Sequence, residues 1–130
     1  MVDYKIIKDT IYSKNNNLHC DIYVPKSDMS TPVIIQLFGG GWGKGNKDFQ
    51  IPISQSLAKE GFASIAIEYR VAPKNKFPSQ LIDIKTALKF IKKYAKKYNF
   101  DIEKIGIAGI SAGGNLATIA GMTLSDFNPK

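Results

Sequence analysis

The sequence predicts an α/β protein, a largely parallel sheet with helices packed against it. Three observations carry that prediction. VIIQLF (33–38), FASIAIEY (62–69) and KIGIAGI (104–110) are nearly continuous apolar runs, the pattern of strands covered on both faces. Between and after them lie segments with helical spacing, and before them two short segments read as a hairpin. Strand and helix alternating in this way point to parallel strands joined by helical crossovers.

The elements follow in order. YKIIKDTIY and LHCDIYVP are rich in β-branched and aromatic residues and flank the turn-like SKNNN, so they predict an antiparallel pair. VIIQLF then runs into GGGWGKGNK, where a strand cannot continue. From about Gln50 to Glu60, Ile53, Leu57 and Ala58 keep helical spacing and Gly61 supplies a stop. RVAPKNKFP, after the second buried strand, is a loop because its prolines block regular pairing. From Ser79 one long helix is expected, since Leu81, Ile84, Leu88, Ile91, Ala95 and Tyr98 recur at steps of three and four. AGGNLATIAGMTL forms a last helix starting tightly after the third strand.

Composition narrows the function. The 130 residues suit one compact domain, and no apolar run approaches the roughly 20 residues of a membrane helix. The charged start, MVDYKIIKDT, lacks the apolar region of a signal peptide, so a cytoplasmic location is expected. Cys20 stands alone, without a disulfide partner or a zinc-ligand pattern. The net charge of +7 raises the question of nucleic acid, but 17 of the 18 basic residues are lysine and only Arg70 is arginine. Base and phosphate readers lean on arginine forks, and Lys85, Lys89, Lys92, Lys93, Lys96 and Lys97 fall on the outer side of one predicted helix. That face reads as solvated, and neither nucleic acid nor membrane is expected as a partner.

In a parallel sheet, functional loops lie beyond the carboxyl ends of the strands. Two loops there could carry chemistry. IAGISAGGN (107–115) places Ser111 in the spacing G-x-S-x-G between a strand and a helix. On one reading, Gly109 and Gly113 permit a sharp turn that exposes the Ser111 hydroxyl, with the Ala112 N–H facing a developing oxyanion. On the other, the glycines serve only close packing and Ser111 is a helix N-cap. GGGW (39–42) offers consecutive backbone N–H groups after a buried strand, as a second oxyanion donor requires. A phosphate cradle does not fit: Lys44 stands where a P-loop needs its second glycine, and G-x-G-x-x-G fits no register across 39–45.

Together, GGGW at 39–42, EYRVAP at 68–73 with FP at 77–78, Asp83, and FDIEKIGIAGISAGGNLA at 100–117 resemble the α/β-hydrolase superfamily in order and spacing. The chain is most similar to small carboxylesterases related to the hormone-sensitive-lipase group and to feruloyl and acetylxylan esterase-like proteins. The resemblance implies Ser111 as nucleophile, an oxyanion hole of backbone N–H groups from Gly39, Gly40, Gly41 and Ala112, and Arg70 with Asp83 steadying the loop over the site. It implies a small-molecule ester as substrate, with no cofactor and no metal.

Two departures matter. The family motif reads His-Gly-Gly-Gly-Trp, and Phe38 stands in the histidine position. The triad acid and histidine follow the nucleophile in this family, whereas the sequence stops 19 residues after Ser111. The chain is therefore expected to be a single partial α/β-hydrolase domain over 1–130, without the C-terminal strands that bear the catalytic Asp and His, and catalytically incomplete alone. Its expected partners are a C-terminal half polypeptide or a second copy through the open edge of KIGIAGI. His19, the one histidine, is expected far from the serine's end of the sheet, and Asp126 in a solvated tail. The alternative is a non-catalytic remnant or binding module on the same scaffold.

Overall fold

A computed structural model describes residues 1–40 and 46–124. Strands β1 (Tyr4–Ser13) and β2 (Leu18–Pro25) pair antiparallel around a turn over 14–17, as the two segments predict. β3 (Thr31–Leu37) leads toward the glycine loop. A short 3-10 turn (Lys47–Gln50), helix α1 (Ile51–Lys59) and β4 (Ala63–Ile67) follow. The rest is α2 (Ser79–Lys93), α3 (Ala95–Tyr98), β5 (Phe100–Gly109) and α4 (Ala112–Thr123). The sheet order is β1-β2-β4-β3-β5. β3, β4 and β5 run parallel, and the hairpin joins β4 antiparallel.

Strand alternation sorts the two faces. Ser64 Oγ donates to Ser54 Oγ of α1 at 3.0 Å, which fixes the α1 face. The neighbours of Ser64 along β4, Ala63, Ile65 and Ile67, point to the other face. There they join Val33, Ile35 and Leu37 of β3 in one core with Ile84, Leu88 and Ile91 of α2 and Leu116 and Ala120 of α4. Leu37 lies opposite Ile67 on one side and Gly109 on the other, so β3, β4 and β5 end level. Both candidate loops leave from that edge.

Two expectations change. The single long helix is two, because Tyr94 has φ −107° and ψ 18°. Its N–H still donates to Phe90 O and its carbonyl accepts from Tyr98 N–H, so the apolar stripe continues through the break. The break and left-handed Asn99 (φ 61°) bring Tyr98 onto Phe100, with ring centroids 5.6 Å apart. The third buried strand is only half-buried over 105–109, because among the described residues β5 pairs with β3 alone and stands at the sheet edge. Among the described residues no helix is long and apolar enough to cross a membrane, and no group of three His, Cys, Asp or Glu could hold a metal.

Candidate active site

The turn from β5 into α4 is set by sterics. A Cβ at Gly113 would stand 2.3 Å from Leu37 O and 2.5 Å from Phe38 O, and one at Gly109 would stand 2.1 Å from Gly113 O. Only glycine lets the start of α4 lie across the end of β3. Ser111, between them, is forced to φ 57° and ψ −119°, a conformation rare for a residue with a side chain. Its side chain makes no capping hydrogen bond and the residue is exposed. Ser111 thus occupies the N-cap position of α4 without capping it through its side chain.

Helical bonding begins around the serine. Gly113 N–H donates to Ile110 O at 2.9 Å and Asn115 N–H to Ser111 O at 3.0 Å, while Ala112 N–H has no acceptor among the described residues. It remains at the helix N-terminus as a free donor. The glycine loop meets this turn directly: a Cβ at Gly39 would lie 2.5 Å from Ile110 O and 3.1 Å from Ser111 Cβ. Gly40 follows at φ 144°, a value that favours glycine. Gly41, the third residue of the expected hole, lies outside the described residues.

Phe38 is buried and stacks on Tyr69 with centroids 4.2 Å apart and planes 11° from parallel. Tyr69 Oη donates to Phe38 O, so the tyrosine of EYRVAP holds both the ring and the backbone where the glycine loop begins. Burial pushes the Tyr69 hydroxyl up to about 12, keeping it a donor at ordinary pH. Nothing in the spacing announced this contact.

Arg70 and Asp83 form the expected pair. Arg70 N–H donates to Asp83 Oδ2 at 2.8 Å and Nε to Oδ1 at 3.0 Å, and the terminal nitrogen reaches Oδ1 at 2.8 Å and donates to Ser79 O at 3.2 Å. The hydrogen bond with Asp83 raises the guanidinium pKa against the opposing effect of burial. The pair ties the loop after β4 to the first turns of α2.

His19 corrects one expectation. Cys20 lies opposite Ile67, so His19 sits at the same carboxyl end of the sheet as Ser111. Distance across the sheet keeps them apart: β4 and β3 lie between β2 and β5, about 14 Å at ~4.8 Å per strand. Its ring faces Glu68 instead, with Nδ1 3.4 Å from Oε1, and the His19 backbone N–H donates to that oxygen at 2.9 Å. Asp126 lies outside the described residues. Sequence reading also missed Asp21 and Lys47, which form a buried ion pair at 3.2 Å on the α1 face. A charge inside the otherwise apolar LHCDIYVP was the available signal.

Comparison with known proteins agrees with this geometry. The BD-FAE family model matches residues 20–128. The chain is 40% identical over 117 residues to "Probable carboxylic ester hydrolase LipM" of Mycobacterium tuberculosis, an alignment covering 85% of this chain and 27% of that protein. It is 36% identical to the arylacetamide deacetylase of Bos taurus, covering 96% of this chain and 33% of that one. The hyperthermophilic esterase from Pyrobaculum calidifontis superposes with a TM-score of 0.84 at 28% identity, over 97% of this chain and 42% of that one. The chain thus spans about a quarter to a third of the length of these curated relatives. From the match over nearly its whole length, with the serine turn and the glycine loop side by side, the chain belongs to the BD-FAE family and carries the α/β-hydrolase fold.

Proposed function

We propose that the chain supplies the nucleophile and oxyanion-binding part of a serine carboxylic-ester hydrolase. One observation carries this reading: Ser111 is held exposed at φ 57° against Gly39, beside an Ala112 N–H with no other acceptor among the described residues. Ser111 Oγ attacks the ester carbonyl carbon and gives its proton to a base. The carbonyl oxygen takes up the negative charge and accepts hydrogen bonds from Ala112 N–H and from the N–H groups of Gly39, Gly40 and Gly41. The C–O bond to the alcohol then breaks, the base returns its proton to the leaving oxygen, and water hydrolyses the acyl-serine to free acid. Strain at Ser111 keeps the hydroxyl in place before substrate arrives.

The base and its orienting acid come from outside this chain. Among the described residues His19, the one histidine of the sequence, stands across the sheet from Ser111 with its ring beside Glu68, which supports reading the 130 residues as one partial domain with an incomplete triad. Turnover then requires a C-terminal polypeptide that brings an Asp or Glu and a His to the Ser111 end of the sheet. The substrate is a small-molecule ester, as the names of the relatives suggest. Active-site labelling with a fluorophosphonate tests this. Ser111 should label slowly in the chain alone and at least a hundredfold faster with the complementing polypeptide, and Ser111→Ala should abolish labelling. Equal labelling of Ser111→Ala would end the proposal.

Phe38 favours a second reading, a scaffold retained without chemistry. With the family's histidine replaced by a ring that stacks on Tyr69, a polar contact that shapes the loop is exchanged for an apolar one. Phe38→His separates the two readings. If it raises the labelling rate in the complemented protein, the loop still serves an oxyanion; if no variant labels, the scaffold reading stands.

A further inference from the structure

GGGWGKG (39–45) holds five glycines in seven residues, so its backbone has an unusual amount of freedom to lose on folding. An oxyanion hole needs the opposite, donors fixed before the charge appears. The start of the stretch is held by Phe38 and Tyr69 and by the approach of Gly39 to Ile110. Its far end leads into Asn46, whose side chain accepts from Asp48 N–H at 2.8 Å, and into the 3-10 turn from Lys47.

That turn rests on a polar layer buried in the α1 face of the sheet. Asp21 and Gln36 both lie opposite Ala66, so they share one row across β2, β4 and β3 with only a methyl between them. Lys47 Nζ reaches Asp21 Oδ1 at 3.2 Å and Asp9 Oδ1 at 2.9 Å, with Asp48 Oδ1 at 4.0 Å. Asp9 sits at the irregularity in the β1–β2 pairing with φ 55°, and its N–H donates to Asp21 Oδ1 at 2.9 Å. Gln50 Nε2, at the end of the turn, donates to Gln36 Oε1 at 3.2 Å. Asp21, Gln36, Gln50 and Lys47 are all buried. Three of their polar atoms, Asp21 Oδ2, Gln36 Nε2 and Gln50 Oε1, have no hydrogen-bond partner among the described residues. Apolar residues would cover this part of the sheet at lower cost, so a layer this polar and only partly satisfied calls for a reason other than stability.

We propose that this layer positions the oxyanion loop, with Lys47 and Asp21 as positioning residues that fix its far end through the 3-10 turn. The inference rests on the reading above for the loop's purpose, but not for its test. Charge helps explain the choice of residues: burial works against the Lys47 ammonium, yet the hydrogen bonds it donates to Asp9 and Asp21 hold its pKa above the ordinary value, so Lys47 stays charged at ordinary pH.

The test is ¹⁵N relaxation on the full 130-residue chain, read at Gly40. The native chain should give an order parameter near 0.85, and Asp21→Asn combined with Lys47→Met, which strands no buried charge, should lower it below about 0.6. Val33 and Ile65 should not change, and Lys47→Arg should keep Gly40 ordered. A folded double variant with Gly40 as ordered as in the native chain overturns the inference. If the double variant does not fold, Gln50→Met is read in the same way, with Gly40 loosened in support and Gly40 unchanged against. Loosening of Gly40 in a protein whose Ser111 never labels would sink the esterase reading and leave the positioning inference standing.

Discussion

At the scale of single residues, the site is made by missing side chains. Gly113 has carbonyl oxygens of Leu37 and Phe38 where a Cβ would go, whereas nothing lies within 4 Å of a Cβ at Gly121 in the same helix. Gly113→Ala should therefore cost about 1–3 kcal/mol, because both clashing atoms are backbone. Gly121→Ala should be neutral or gain about 0.5 kcal/mol from helix propensity. Urea denaturation of the two variants checks the contrast, and equal effects would mean that α4 does not lie across the end of β3. Buried acids give a second prediction at this scale. Burial pushes the Cys20 thiol up to about 12, as it does the Tyr69 hydroxyl. Both are neutral when folded and ionise near 9 and 10 when unfolded, so above those values the unfolded chain binds fewer protons and gains. The contribution of these two groups should be constant below about pH 8, and stability should fall by about 1.4 kcal/mol per pH unit per ionising group between roughly 9 and 12. Cys20→Val should remove the first part of that decline. Native Cys20 should also resist thiol reagents at pH 8 until denaturant is added.

Between elements, the Arg70–Asp83 tie decides how the loop after β4 meets α2. Asp83 is 1% exposed and accepts from both the side chain and the backbone N–H of Arg70, so one carboxylate satisfies two groups. Asp83→Ala leaves a largely covered guanidinium unpaired and should cost about 3–5 kcal/mol. Arg70→Lys keeps the charge but cannot span both oxygens, and should recover less than half of what Arg70→Ala loses; thermal melts of the three variants decide this. This tie was anticipated only through the family resemblance, which implied a role for both residues near the loop. The strands and α1, α2 and α4 were legible in the sequence, since each buries a continuous face and burial writes a period into the chain. Three things were not. The break at Tyr94 leaves the apolar spacing intact, so periodicity cannot reveal it. The Phe38–Tyr69 stack and the Asp21–Lys47 pair join residues far apart in sequence, and such contacts depend on strand order, here β2-β4-β3. His19 differs from expectation for the same reason: its place at the start of β2, level with the carboxyl end of β4, follows from antiparallel pairing, which fixes its height in the sheet but not its distance from Ser111.

For the whole molecule, the asymmetry of the sheet is the main consequence. One edge is the hairpin strand β1, rich in charge and interrupted by the irregularity at Asp9. The other is β5, regular from Ile105 to Gly109 and, among the described residues, paired only to β3. Irregular, charged edges resist further pairing, whereas a regular apolar edge invites it. Beside β5, Ile105, Ile107, Ala117 and Met122 line an open groove against α4, and Ile110 is 54% exposed at the strand's end. We therefore expect the isolated chain to self-associate through β5, and a complementing C-terminal polypeptide to compete for the same edge. Gly106→Lys is the variant that tests this. A Cβ there meets only Ile34 Cγ1 at 3.8 Å, an ordinary contact, so the fold should tolerate it while an edge lysine opposes strand addition. In sedimentation over a range of concentrations, the native chain should gain average mass as concentration rises and Gly106→Lys should stay monomeric. The native chain with its partner polypeptide should form a one-to-one complex. Association that Gly106→Lys leaves unchanged would place the contact elsewhere, and the basic face of α2 would then be examined first by repeating the runs at high salt, where charge-driven contacts weaken and apolar strand pairing does not.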